Sequence, residues 1–309
     1  MSPRSRVAIV GLETSHALRW LEVLFPLAAE ILLCPLDRAE EVRARQLGLE
    51  WPGVRIGTLH EAVEWAGVAA ILTSDWDAHV PLAKPFVRRK KTVYIDKPVA
   101  CSDDDLAQLL AWEGERLVLG SSNRHAPELL RWRGCPEVRS LLSCVGQPDP
   151  FGYGIHAVEI GQTILGPGAR RVRALRGGEG GFLFEIDHQS GIPWLVNTQK
   201  PAPTFHVLLE TTCETRFIPI AGGTWHRLLI EEVFKVRDGG KPRLGAEEMV
   251  EAVRILKAAH TSARDARRWV RLDEPLLSFS GRQYRRAYLA ARSQSHPTSP
   301  PGSDDRSKN

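Results

Sequence analysis

The first 120 residues alternate short apolar runs with stretches of helical periodicity, and this alternation restricts the possible folds more than any other feature of the chain. The runs fall at residues 7–10, 31–36, 54–56, 68–72, 93–95 and 117–119. Uninterrupted apolar runs of this length belong to strands covered on both faces, and helices between them make the crossovers of a parallel sheet. Thr14 and Ser15 are suited to cap a helix over residues 17–24. Asp37 is suited to cap another over 38–47, which Gly48 should stop. The segment 102–112 opens on three aspartates, favourable at a helix N-terminus. Six strand–helix units of this kind predict a doubly wound, Rossmann-type sheet over residues 1–122.

The pattern then changes. Helices are expected over 126–132 and 155–165, followed by strands at 182–187, 194–198, 205–210 and 216–220 with glycine and proline between them. Such close spacing predicts antiparallel pairing. The glycine-rich segment 177–181 reads as a turn, because a phosphate loop would need a strand before it and a helix after it. A long amphipathic helix is expected over 247–263. The fold class is therefore α/β: an N-terminal nucleotide-type sheet and a C-terminal α+β domain, residues 123–291, with a mostly antiparallel sheet. Residues 292–309, rich in Ser, Pro and charge, should form a disordered tail.

Composition narrows the function classes. At 309 residues, 43% hydrophobic and 25% charged, the chain can build large cores without disulfides or metals. Forty-one Lys and Arg against 37 Asp and Glu leave +4, too little to suggest nucleic-acid binding. Cys34, Cys101, Cys135, Cys144 and Cys213 are scattered without a CxxC pair, which suggests reduced thiols in a cytoplasmic protein. Charges and prolines interrupt the apolar stretch 17–36, so no membrane span is expected. The basic start resembles a signal peptide, but its apolar core is too short.

The first strand–turn–helix is where a dinucleotide pyrophosphate would rest on free backbone N–H groups. Gly11 is present, whereas the second and third glycine positions of the usual fingerprint hold Glu13 and His16. A carboxylate at residue 13 is a poor neighbour for two phosphates. Asp37 follows the second strand, placed to accept ribose hydroxyls, and Arg38 beside it is placed for a 2′-phosphate. NAD and NADP both remain open on those two residues. Lys97, in Tyr94-Ile-Asp-Lys-Pro98, follows the fifth strand, at the sheet edge where open α/β folds bind ligands.

Taken in order, the segments VAIVGLETSH, TSDWDAHV, YIDKPVA, GSSNRHAPEL, FGYGIHAVEIGQTILGPG and AEEMVEAVRILKAAHTSARDARRWVRL resemble the Gfo/Idh/MocA oxidoreductases, over about residues 6–273. The resemblance implies NAD or NADP, held by the first turn (Gly11, Glu13, Thr14, Ser15, His16), by Asp37 or Arg38, and by Ser74, Trp76 and His79 after the fourth strand. Asp96 and Lys97 complete that set. It also implies that Lys97 contacts the nicotinamide ribose and the substrate hydroxyl, and that His156 moves the proton at the reacting carbon. Glu159 matches the second acid of the family's Asp-x-Gly-x-His-x-x-Asp helix, and the first acid is replaced by Gly152, next to Tyr153. Tyr153 is the alternative proton donor.

Hydride transfer with a proton moved at oxygen needs this pairing of a cation with an acid–base group. The expected function is thus an NAD(P)-dependent oxidoreductase acting on a hydroxyl or keto carbon of a sugar, cyclitol or related polar metabolite. The alternatives are an imine or ketone reductase and a catalytically silent ligand-binding or regulatory protein. His16, His79, His156 and Glu159 lack the tight spacing of a metal site, so no metal is expected. His125 is expected to be a structural hinge contact or a solvated side chain, and Trp76 and Trp225 could stack on a sugar ring. In similar proteins the second sheet packs against another subunit, which implies a homodimer or homotetramer binding only small molecules, with neither nucleic acid nor membrane as partner.

Overall fold

The computed structural model describes residues 5–27, 30–146, 149, 151–178, 181–199, 205–221 and 223–295. Six strands, β1 (Arg6–Val10), β2 (Glu30–Cys34), β3 (Arg55–Ile56), β4 (Val68–Ile71), β5 (Thr92–Ile95) and β6 (Leu117–Leu119), pair in parallel in the order β3-β2-β1-β4-β5-β6. The order reverses at β1, so the cleft of a doubly wound sheet opens between β1 and β4. Their helices are α1 (Ser15–Leu24), α2 (Arg38–Glu50), α3 (Leu59–Trp65), α4 (His79–Arg88) and α5 (Asp103–Ala111). Every residue of β4 and β5 is buried, as continuous apolar runs require. Gly11 turns the chain after β1 at φ +85°, and a Cβ there would lie 2.6 Å from the backbone N of Thr73. Only glycine lets the first and fourth strand ends approach so closely.

The second half builds a mixed sheet in the order β12-β11-β7-β10-β9-β8-β13. Its strands are β7 (Val138–Cys144), β8 (Ala169–Arg176), β9 (Leu183–His188), β10 (Trp194–Asn197), β11 (His206–Thr211), β12 (Thr215–Pro219) and β13 (Val270–Arg271). Its helices are α6 (Pro127–Leu130), α7 (Gly154–Leu165), α8 (Trp225–Arg237), α9 (Ala246–Arg264) and α10 (Gly281–Ser295). Pairing is antiparallel except between β7 and β10. α7 and α9 are almost wholly buried and join the two halves.

The sequence reading differs from this architecture in six places, one of them β8, whose four arginines interrupt its apolar positions and hide the strand. Gly48 does not stop α2, whose Asp37 cap and following turns carry it to Glu50. β7 was not foreseen, because only part of its length is buried and its serines blur the apolar pattern. α8 was not foreseen either, and the helix expected over 126–132 is the single turn α6. α10 runs four residues into the stretch expected to be disordered, and residues 296–309 lie outside the described ones. So do residues 1–4, part of the basic start, and 179–180 of the glycine-rich turn. No helix among the described residues is long and apolar enough to cross a membrane.

Candidate active site

Four segments meet at the carboxyl edge of the parallel sheet: the turn after β1, the loop after β4, the Asp96–Lys97 corner after β5 and the start of α7. A small cavity of about 50 Å³ remains between them, lined by Thr14, Ser15, His16, Ser74, Lys97 and Tyr153 among others. Lys97 donates from Nζ to the carbonyl of Gly152 at 3.3 Å and lies 5.8 Å from the centre of the Tyr153 ring. An ammonium from the first half and a phenol from the second are thereby brought to one cavity. Burial pushes the Tyr153 phenol up, and Tyr288 and Asp149 push it further.

His156 sits one layer deeper. It begins α7, its ring packed between Tyr153 and Phe205, and its Nδ1 lies 2.8 Å from the Ser121 hydroxyl. Burial, and then the nearby Lys97, hold it well below the ordinary histidine range, so near neutral pH the ring is uncharged. His156 does not line the cavity that Lys97 and Tyr153 share.

Glu159 lies one helical turn further along α7 and meets the same Ser121. It accepts from Nε of the fully buried Arg124 at 2.7 Å and from the Ser121 amide at 2.7 Å. Arg124 also pairs with Glu248, so this cluster ties the crossover after β6 to α7 and α9. The buried guanidinium, which no sequence pattern signals, fixes Glu159 as its counter-ion.

Asp96 and His16 form a tight polar contact in the cleft, Nδ1 to Oδ2 at 2.5 Å, with side chains 5% and 23% exposed. Burial pushes the Asp96 carboxyl up, but His16 and then Lys97 outweigh it and hold it well below the usual carboxylate range. The side chain at the third glycine position is thus held by the acid of the Asp-Lys-Pro corner. His226 of α8 stacks edgewise on His16, and burial followed by His16 pulls it down to about 4.

The remaining expected residues fall into two groups. His79 is fully buried, with its ring nitrogens 3.2 Å from the Val99 carbonyl and 2.8 Å from that of Thr73, so it braces the β4 loop from behind. Trp76 is buried against Phe151 and Tyr284, Trp225 packs at the edge of the core, and Arg38 is exposed. Thr14 caps α1, and Asp37 caps α2. His125 is buried beside Glu232 at the crossover. Among the described residues no group of three or more His, Cys, Asp or Glu could hold a metal.

Glu13 is where the sequence raised the sharpest question. Its carboxylate turns away from the α1 N-terminus and accepts from the Thr73 hydroxyl (2.8 Å), the Ser74 amide (2.6 Å) and the Ser74 hydroxyl (3.0 Å). It thereby fastens the first strand turn to the fourth. Glu40, buried below it, accepts from the amides of Leu12 and Leu36. Burial and the neighbouring Glu13 push Glu40 up, so Glu40 carries the proton and Glu13 the charge.

A dinucleotide would run from Asp37 past the α1 N-terminus to Lys97. The α1 terminus, Asp37 and the hydroxyls of Thr14, Ser15 and Ser74 suit such a ligand chemically, but α10 lies along that path. Arg285 donates to Glu13 (3.2 Å), Asp37 (2.6 Å) and Glu40 (3.2 Å), while Tyr284 and Tyr288 line the small cavity. With α10 docked, the groove is divided into a cavity of about 50 Å³ beside Lys97 and one of about 210 Å³ beside Asp37, with Arg285 and Leu289 of the helix lining the second. Sequence reading missed this helix; the signal it carried was Tyr284 and Tyr288 four residues apart in an arginine-rich segment.

No family model matches the chain, and no curated protein matches it by sequence. Solved structures do match in fold. GenD2 from gentamicin A biosynthesis, in complex with NAD, is 20% identical over 89% of this chain and 98% of its own, with a TM-score of 0.71. The WlbA dehydrogenase from Bordetella pertussis, in complex with NADH and UDP-GlcNAcA, is 15% identical over 89% and 100%, TM-score 0.68. Scyllo-inositol dehydrogenase from Lactobacillus casei is 13% identical over 89% and 100%, TM-score 0.70. The fold is therefore that of the Gfo/Idh/MocA-type dehydrogenases.

Proposed function

We propose that this chain is an NAD(P)-dependent oxidoreductase that transfers a hydride to or from a hydroxyl or keto carbon of a sugar, cyclitol or related polar metabolite. The observation that carries this reading is the meeting of Lys97 and Tyr153, one from each half, at a cavity on the carboxyl edge of the parallel sheet. Similar folds in GenD2 and WlbA hold NAD and NADH, which supports the cofactor class. A nicotinamide cofactor supplies the hydride when bound. The chain's own part is the proton and the charge. Lys97 stabilises negative charge growing on the substrate oxygen, and Tyr153 or, behind it, His156 moves the proton there. Asp96 and His16 hold the lysine corner in place.

The wider setting follows the same reading. We assign the chain to the cytoplasm, where its free cysteines stay reduced, and to a homodimer or homotetramer. Leu208 of β11 and Phe217 of β12 are paired in register and exposed, an apolar patch suited to a second sheet face. A monomeric mass by light scattering would remove the oligomer.

The test is titration of the purified chain with NADH and NADPH, followed by tryptophan fluorescence. Binding below millimolar concentration of either is expected. Absence of binding by both, in the wild type and in the α10 variants described next, would overturn the dehydrogenase reading.

A further inference from the structure

Two of the departures from the dehydrogenase pattern, Glu13 and Gly152, lie against the same element, α10, whereas the third, His16, is held by Asp96 and His226. Glu13 accepts from Arg285. A Cβ at Gly152 would run into the hydroxyl of Tyr284, which donates to Asp149 at 2.5 Å. An aspartate at residue 152 would therefore exclude Tyr284 from its seat. Asp149 also accepts from the amides of Phe151 and Gly152, so it shapes the loop that receives the tyrosine.

The dock is built along the whole first half of the helix. Asp77, in the loop after β4, accepts from the Ser280 hydroxyl (2.9 Å) and from the amides of Gly281 (2.9 Å) and Arg282 (3.2 Å), capping α10 across the cleft. Tyr284 stacks on Trp76 with ring centres 4.3 Å apart. Arg285 then reaches the three acids at the far end of the groove. Just before the helix, Phe279 packs on Phe151 at 4.3 Å, a fixed point about which residues 281–295 can swing.

We propose that α10 is a strap that competes with the dinucleotide for its groove. Arg285 neutralises Glu13 and Asp37 while the strap is docked, and cofactor binding requires its release. The inference rests on the dehydrogenase reading above. It accounts for Glu13 and Gly152 with one cause, since each makes room or charge for the strap, and it makes cofactor affinity depend on the docked fraction.

Two chemically independent substitutions test it in the full chain, with NADH as the probe and Trp76, under Tyr284, as a reporter of the groove. Arg285→Ala removes the charge that closes the far end. Gly281→Ala removes no charge, but its methyl group would meet the backbone N of Trp76 and unseat the helix start. Both variants should bind NADH about tenfold more tightly than wild type, in line with a strap docked in most molecules. If Arg285→Ala fails to fold, Gly281→Ala decides alone. Affinities equal to a measurable wild-type value would overturn the strap while leaving the dehydrogenase reading intact, as would weaker binding by Gly281→Ala. No binding by any of the three proteins would overturn both.

Discussion

The two ends of the groove along the carboxyl edge of the parallel sheet are built on opposite plans. At the Lys97 end, hydroxyls and one ammonium surround a small open cavity, and two halves of the chain contribute to it. At the Asp37 end, three acidic side chains share a single guanidinium from α10 beside a wider cavity of about 210 Å³, with Asp37 held below its ordinary range by Arg285 in spite of burial. On the proposals above, the first end serves the chemistry and the second is filled either by the chain itself or by a ligand that displaces it. Preorganisation matters most where charge develops, and at the other end a ligand that displaces Arg285 must itself compensate the buried charge of Glu13.

Substitutions at the chemical end should give the largest effects. Lys97→Met is expected to lower kcat about a thousandfold while NADH affinity changes only a few-fold, because the group acts on the substrate oxygen. Tyr153→Phe should cost about a hundredfold and His156→Ala less, since Tyr153 lines the cavity and His156 stands behind it. Steady-state kinetics of the three variants checks the ranking. A larger loss in His156→Ala than in Tyr153→Phe would move the proton donor one layer inward.

A smaller effect separates the buried histidines from the acids of the strap. Burial holds His156 and His226 below the ordinary histidine range, and His125 likewise, at about 3. Each takes up its proton only on unfolding, so its stability contribution is present above about pH 6.5 and is lost as pH falls below it. Each should remove up to about 1.4 kcal/mol per pH unit. Glu40, pushed up by burial and Glu13, acts oppositely: it is protonated in the folded chain and adds stability as pH falls towards the ordinary carboxylate range. With three histidines against one acid, urea unfolding should show falling stability between pH 6.5 and 5.5. A flat or rising profile would mean that these histidines are more hydrated than the fold indicates.

Much of the first sheet was legible because burial on both faces leaves uninterrupted apolar runs, as in Val68–Ile71. α9 was legible from its period, since its apolar face packs on α7 and β8. α10 was not, because what it buries is two tyrosines and a paired arginine, and hydropathy does not register an ion pair. The site divides in the same way. The position of Lys97 at a strand end was readable, and so was the oddity of Glu13 and Gly152. Their reason was not readable, because Arg285 lies 272 residues from Glu13 in the chain. Glu159 could be placed on the face of His156 by spacing, and both meet Ser121, but its partner Arg124 comes from the crossover turn and was not readable.

Hydrogen exchange at the amides of α10, measured with and without saturating NADH, bears most directly on a groove shared between helix and cofactor. Protection across residues 284–289 should fall when NADH binds, while α9 keeps its slow exchange. NADH bound with α10 as protected as before would contradict the displacement and leave the helix as a fixed wall of the site.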